Sequence, residues 1–319
     1  MIKGIHHVGL TLGNVRDAAQ FYAAAAAFTV FNNTALRLPT GLNAVEVDGA
    51  SWLQAPNAYL RLLEPRIALE PRKTRREVAE AGIVHVCLQS TSIEDLYQKF
   101  ACAGATFHAP PVDLGTGFLY SYARDTEHNV VELEGVPPVW QDTTPWIAHV
   151  SFSSADIDRL ADFYAEVVNR KAIKSPRFGP SPKMDLVSGM QNTEFRAAWI
   201  EAGNMQIEVL QYFVPATVAV TKERALCDIG YSYVCFEVDD MSAAINHLLS
   251  LGATQTAALA GMSEPNKYFC CDPDGNIVLL LSLAENEQQF TLAALPDAHV
   301  TRRMANARDA MLEKKKANR

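Results

Sequence analysis

Six cysteines occur among 319 residues, none in a CxxC spacing and two of them adjacent, Cys270 and Cys271. That spacing speaks against a zinc knuckle or a disulfide framework; small reduced thiols in a cytoplasmic setting are expected instead. No apolar run approaches the ~20 residues of a membrane helix. The opening MIKGIHHVGL enters a strand pattern directly, so no signal peptide is expected. Positive charge is not in excess: the formal net charge is −8, which argues against nucleic acid or an anionic membrane as a partner. Apolar residues make up 49% and charged residues 20%, the balance of a soluble globular chain with room for about two domains.

What the chain does have is repetition. GIHHVGL at 4–10 recurs as GIVHVCL at 82–88, WIAHVSF at 146–152 and GYSYVCF at 230–236. Each copy is followed by a polar break and an amphipathic segment: NVRDAAQFYAAAAAF, SIEDLYQKFACAG, DIDRLADFYAEVV and DMSAAINHLLSLG. Asn or Asp at the starts suits helix caps, and Gly104 and Gly252 suit helix stops. Short alternating runs bounded by turn residues then read as strands. The unit is a βαβββ module present four times, giving an α+β fold. Far ends match as well: APNAYLRLLEP at 55–65 with AGNMQIEVLQY at 202–212, and DTEHNVVELE at 125–134 with DPDGNIVLLL at 272–281. The chain reads as two paired-module domains, 1–138 (modules 1–66 and 81–138) and 145–285 (modules 145–215 and 228–285), divided near the Pro-rich stretch at 135–145. A helical tail over 286–319 is expected to dock on the body or on a subunit, with a frayed basic end.

Strand phase separates the two opening histidines. Val8, Leu10 and Leu12 share the face that should meet the helix, and His7 falls on the other. His85 and His149 fall on that second, more polar face in their copies, whereas His6 reads as an ordinary strand-end residue.

The GIxHVxL openings, the FY-containing helices, the PDGN turn and the ExL endings resemble the vicinal oxygen chelate superfamily of glyoxalases, epimerases, bleomycin-resistance proteins and extradiol dioxygenases. The resemblance runs from residue 1 to about residue 285. It implies modules paired into cup-shaped sheets, a divalent metal on the open face and a small substrate with vicinal oxygens. It also implies ligand positions on the first and last strand of each module. Carried over, the N-terminal pair offers His7, Arg61, His85 and Glu132, and the C-terminal pair offers His149, Glu208, Tyr233 and Leu279.

On this reading the expected metal ligands are His7, His85 and Glu132, a two-histidine, one-carboxylate set suited to Fe(II) or Mn(II), with Zn, Ni and Mg as alternatives. Arg61 cannot ligate a metal; it should turn away, grip an anionic substrate group, or mark a lost metal. Tyr122, ten residues before Glu132, resembles the acid of extradiol dioxygenases. The C-terminal pair, left with His149 and Glu208, is expected to act as scaffold, as a partner for the first half, or as a metal-free pocket for an aromatic group. The favoured activity is a metal-dependent dioxygenase; the alternatives are a lyase or isomerase of the glyoxalase or epimerase kind, and a metal-free binding protein. Paired-module proteins often dimerise, so a homodimer is among the expectations.

Overall fold

The computed structural model describes residues 1–32, 36–38, 44–47, 49–66, 77–137, 144–220 and 224–306. Helix starts fall where the sequence places them. The side chains of Asn14, Asp156 and Asp240 accept hydrogen bonds from the backbone N–H three residues on, whereas Ser92 makes no such cap. Gly104 and Gly252 take positive φ after their helices, as a left-handed stop requires.

The first module comprises β1 (Ile2–Thr11), α1 (Val15–Ala26), β2 (Thr29–Phe31), β3 (Ala44–Val45), β4 (Trp52–Gln54) and β5 (Tyr59–Pro65). The second comprises β6 (Gly82–Ser90), α2 (Ile93–Cys102), β7 (Thr106–Phe107), β8 (Val112–Asp113), β9 (Leu119–Arg124) and β10 (Val130–Gly135). In the third are β11 (Trp146–Ser153), α3 (Ile157–Val167), β12 (Ile173–Lys174), α4 (Pro182–Ser188), β13 (Glu194–Glu201) and β14 (Gln206–Val214). The fourth holds β15 (Gly230–Val238), α5 (Met241–Ser250), α6 (Ala257–Ala260), β16 (Lys267–Cys271) and β17 (Ile277–Leu281).

The modules do not pair in chain order. One sheet runs β16-β17-β15-β1-β5-β4-β2 and joins the outer modules, four and one. The other runs β12-β13-β14-β11-β6-β10-β9-β7 and joins the inner modules, three and two. The seams are antiparallel: β1 meets β15 with Gly9 opposite Tyr233, and β6 meets β11 with His85 opposite Ser151. The expected pairing of module one with two, and of three with four, is therefore replaced by outer with outer and inner with inner.

Consecutive modules meet instead through their helices and turns. Tyr22 of α1 donates to Asp125 at 3.0 Å, and Glu127 accepts from the backbone N–H of Gly13 and Asn14. The second half repeats the arrangement: Tyr164 donates to Asp272 at 2.8 Å, and Ser154 and Arg159 bind Asp274. The PDGN-type turn, which reads as local geometry, is thus an intermodule dock. One core cluster takes in Val8, Leu10, Val86, Val150 and Phe236 from both sheets together with the apolar faces of α1, α2 and α3.

The tail departs from a single helix. Short 3-10 turns at Glu285–Phe290 and Leu292–Ala294 are separated by extended Thr291, and Leu295 is extended before Pro296, as a pre-proline residue prefers. Residues 300–306 are helical; 307–319 lie outside the described residues, as do 138–143 of the expected domain boundary.

Candidate metal centre

The inner sheet brings four ligand-type side chains to one point. His85 on β6 and His149 on β11 come from antiparallel neighbours, Glu132 on β10 and Glu208 on β14 from the parallel strands flanking them. His149 Nε2 lies 2.9 Å from Glu132 Oε2 and 3.4 Å from Glu208 Oε2. His85 Nε2 lies 3.2 Å from Glu132 Oε2 and 3.5 Å from Glu208 Oε2. The two imidazole nitrogens are 3.4 Å apart. Donors about 2.1 Å from one ion are separated by about 3.0–3.4 Å in octahedral or tetrahedral arrangements, so these spacings fit a shared divalent cation.

The electrostatics fit as well. All four side chains are buried. Burial alone would pull His149 down, but the Glu208 and Glu132 carboxylates outweigh it and raise the group to about 9. His85 is raised in the same way, against its own burial, and the imidazoles hold Glu132 and Glu208 below the usual carboxylate range despite theirs. Two buried carboxylates at one point call for positive charge, which protons supply at the imidazoles and which a divalent ion supplies in their place.

The two carboxylates are held differently. Glu208 Oε2 accepts from Ser151 Oγ at 2.7 Å and Glu208 Oε1 from Trp199 Nε1 at 3.0 Å, so both its oxygens are oriented from outside the cluster. Glu132 Oε2 faces the two imidazoles. Beside the cluster, Glu134 accepts from Gln89 at 2.6 Å; burial and the Glu132 charge push it up to about 7. Cys87, Glu134 and His149 form the other close donor group among the described residues, sharing His149 with the first.

A cavity of about 220 Å³ opens above Glu132 and Glu208. Tyr122 lies directly across the ladder from Glu132 and Trp199 directly across from Glu208. The Tyr122 ring is 5.3 Å from the His85 ring. An aromatic residue at this register is common to all four modules, with Trp52 opposite Arg61 and Phe269 opposite Leu279.

Of the three expected ligands, His85 and Glu132 meet here; His7 does not. It lies in the outer sheet, because its strand pairs with β15 rather than β6. There His6 Nε2 contacts the Phe290 carbonyl at 2.8 Å, His6 Nδ1 contacts His7 Nδ1 at 2.8 Å, and His7 Nε2 contacts the Tyr233 hydroxyl at 2.9 Å. A carbonyl only accepts, which fixes the order: Tyr233 donates to His7, His7 to His6, and His6 to Phe290. Burial pushes His7 well down and His6 to about 4, so both are neutral. Neither ring nitrogen of His7 keeps a lone pair for a metal.

Arg61 neither turns outward nor faces the cavity of the inner sheet. It is buried over the Trp52 ring at 4.6 Å, donates from Nη2 to the Leu36 carbonyl at 2.5 Å, pairs with Glu46 and lies against the Tyr233 hydroxyl. His149 and Glu208, expected to stand apart in a metal-free half, complete the set with His85 and Glu132. A signal for this was present: both ligand positions survive only in modules two and three, and a metal needs a whole set, so the intact modules belong together.

The family profile of the Glyoxalase/Bleomycin resistance protein/Dioxygenase superfamily matches residues 4–133, and a second profile of the same superfamily matches residues 148–270. No curated protein sequence matches the chain. Among solved structures, glyoxalase I from Zea mays is similar with a TM-score of 0.60 at 13% identity, covering 92% of this chain and 96% of its own. A putative dioxygenase from Bacillus subtilis is similar with a TM-score of 0.58 at 10% identity, covering 93% and 90%. At these identities the likeness is one of fold. With two profile matches and four modules in two shared sheets, the chain belongs to the glyoxalase/bleomycin resistance protein/dioxygenase superfamily.

Proposed function

We propose that the inner sheet carries a mononuclear metal centre formed by His85, Glu132, His149 and Glu208, and that it catalyses proton transfer on a small substrate with two vicinal oxygens, as a lyase or isomerase. The observation that supports this most is the pair of carboxylates within reach of both imidazoles. A divalent ion held there would act as a Lewis acid on the two substrate oxygens. The chain supplies four donors, rather than the three of the two-histidine, one-carboxylate oxygenases, and His85, Glu132, His149 and Glu208 would hold the ion together.

Glu208, oriented through both oxygens, is the fixed donor. Glu132, which faces the cavity and is held through the imidazoles alone among the contacts described, is the carboxylate that takes a proton from the substrate carbon. Tyr122 holds a substrate oxygen from the opposite strand. Segment 175–190, which includes α4 and contributes Phe178, Met184 and Val187 to the cavity wall, excludes water. The cysteine spacing, which holds no CxxC pair, supports a reducing, cytoplasmic setting; no helix among the described residues is long and apolar enough to cross a membrane.

Deuterium exchange at the carbon alpha to the carbonyl of small 2-hydroxyketones, followed by NMR with the Zn(II)-loaded protein in the absence of O₂, tests the reading. Exchange that disappears in Glu132→Gln is expected. A second reading, the dioxygenase, draws on Tyr122 beside His85. O₂ uptake with a catechol by the Fe(II)-loaded protein, without any exchange reaction, would replace the first reading with the second.

A further inference from the structure

We infer that the part of the substrate that does not chelate is an uncharged aromatic group; this rests on the chelating site proposed above. Six rings wall the cavity: Tyr120, Tyr122, Phe178, Phe195, Trp199 and Tyr212. They come from three directions, namely β9, the β13–β14 hairpin and segment 175–190, so a planar body between them meets rings on several sides. Leu114, Met184, Val187 and Leu210 fill the wall between them.

Charge decides what such a cavity accepts. Its charged lining residues among those described are Glu132 and Glu208, with no lysine or arginine. The two cations on the covering segment are engaged elsewhere. Arg177 donates from Nε to Glu194 at 2.9 Å and lies over the Phe213 ring, and Lys183 donates to the Asp113 carbonyl at 2.7 Å. A carboxylate or phosphate on the substrate body would lose its hydration and meet two like charges, apolar surface and neutral hydroxyls, with no cationic side chain to pair with it. The volume points the same way. About 220 Å³ exceeds the ~150 Å³ that holds benzene in an engineered cavity, leaving room for one ring and a two-oxygen head.

Orientation is available from one further group. The Tyr212 hydroxyl lies beside that of Tyr122 yet has no hydrogen bond of regular geometry. A buried hydroxyl in that state favours a ligand oxygen that pairs with it.

The test uses hydroxamates, which chelate through two oxygens, titrated into the Zn(II)-loaded protein by calorimetry. Benzohydroxamate should bind roughly tenfold or more tightly than acetohydroxamate, the gain expected for burying a ring. It should also bind at least about tenfold more tightly than 4-carboxybenzohydroxamate, whose carboxylate finds no cationic partner. Equal or tighter binding of the acetyl or carboxylated compound overturns the inference while leaving the chelating site intact. Binding of none of the three, with Zn(II) retained, overturns the site and the inference together. Leu114→Lys, which adds an ammonium to a half-buried loop position in the wall, should narrow the benzo-to-carboxybenzo ratio several-fold; an unchanged ratio also overturns the inference.

Discussion

The outer and inner sheets are built on the same plan and finish in opposite states. Each joins two first strands antiparallel, flanks them with two parallel last strands and places an aromatic residue across from each last-strand ligand position. In the inner sheet the four positions hold His85, Glu132, His149 and Glu208; in the outer they hold His7, Arg61, Tyr233 and Leu279. The inner set is a charge cluster beside a cavity. The outer set is a closed chain of hydrogen bonds from Tyr233 through His7 and His6 to Phe290, sealed by Arg61 and apolar neighbours such as Trp52, Phe269 and Leu279. Two of the changes are complementary: a cation has entered where a cation would be held, and a phenol has entered where it binds the surviving imidazole. Gly9 makes the second possible, since a Cβ there would lie 2.0 Å from the Tyr233 ring.

The comparison breaks most visibly on metal. His149→Ala should lower Zn(II) affinity by more than about 100-fold, beyond the 10–100-fold typical of losing an outer orienting partner, as measured by competition with a chromogenic chelator. His7→Ala should leave affinity and stoichiometry unchanged and instead cost about 1–3 kcal/mol of stability, because it strands the Tyr233 hydroxyl and His6. Metal loss in His7→Ala would show the two sheets to be assigned the wrong way round.

The contacts that orient side chains also differ between the sheets. Ser151→Ala with Trp199→Phe removes both donors to Glu208 and should weaken Zn(II) binding by about 10–100-fold; unchanged affinity would mean that Glu208 needs no orientation. In the outer sheet, Gly9→Ala should destabilise by about 1–3 kcal/mol in urea unfolding through overpacking against Tyr233, with metal affinity intact.

The pH effects of the two sheets run in opposite directions. In metal-free protein His149 sits near 9, above its ordinary 6.5, so its contribution is full below pH 6.5 and is lost as pH rises through about 9. His6 sits near 4, below 6.5, so its contribution is full above pH 6.5 and is lost as pH falls towards 4. His6→Gln should flatten the acid side of the stability profile between those two values, and Zn(II) should flatten the alkaline side. An acid limb unchanged by His6→Gln would contradict the neutral relay.

Much of this was legible in the residues. Strand phase placed His85 and His149 on the face away from the helices, and the aligned far ends located Glu132 and Glu208. What periodicity does not carry is which first strand lies beside which. GIHHVGL, GIVHVCL, WIAHVSF and GYSYVCF are near-equivalent edges, and nothing local to them selects a partner. The choice accompanies contacts distant in sequence, such as Tyr22 with Asp125 and Tyr164 with Asp272, which join consecutive modules through helices while their sheets pair with others. Strand phase therefore gives His7 its face, and the pairing of its strand with β15 keeps it away from His85. Arg61 is no obstacle to the metal, because β5 lies in the outer sheet.

Anomalous diffraction from Zn(II)-soaked crystals, recorded at the zinc edge, distinguishes a metal in the inner sheet from one in the outer. One peak per chain among His85, Glu132, His149 and Glu208, with none at His7, is the predicted result. A peak at His7, or a zinc-saturated protein with no density between the four inner side chains, would contradict it.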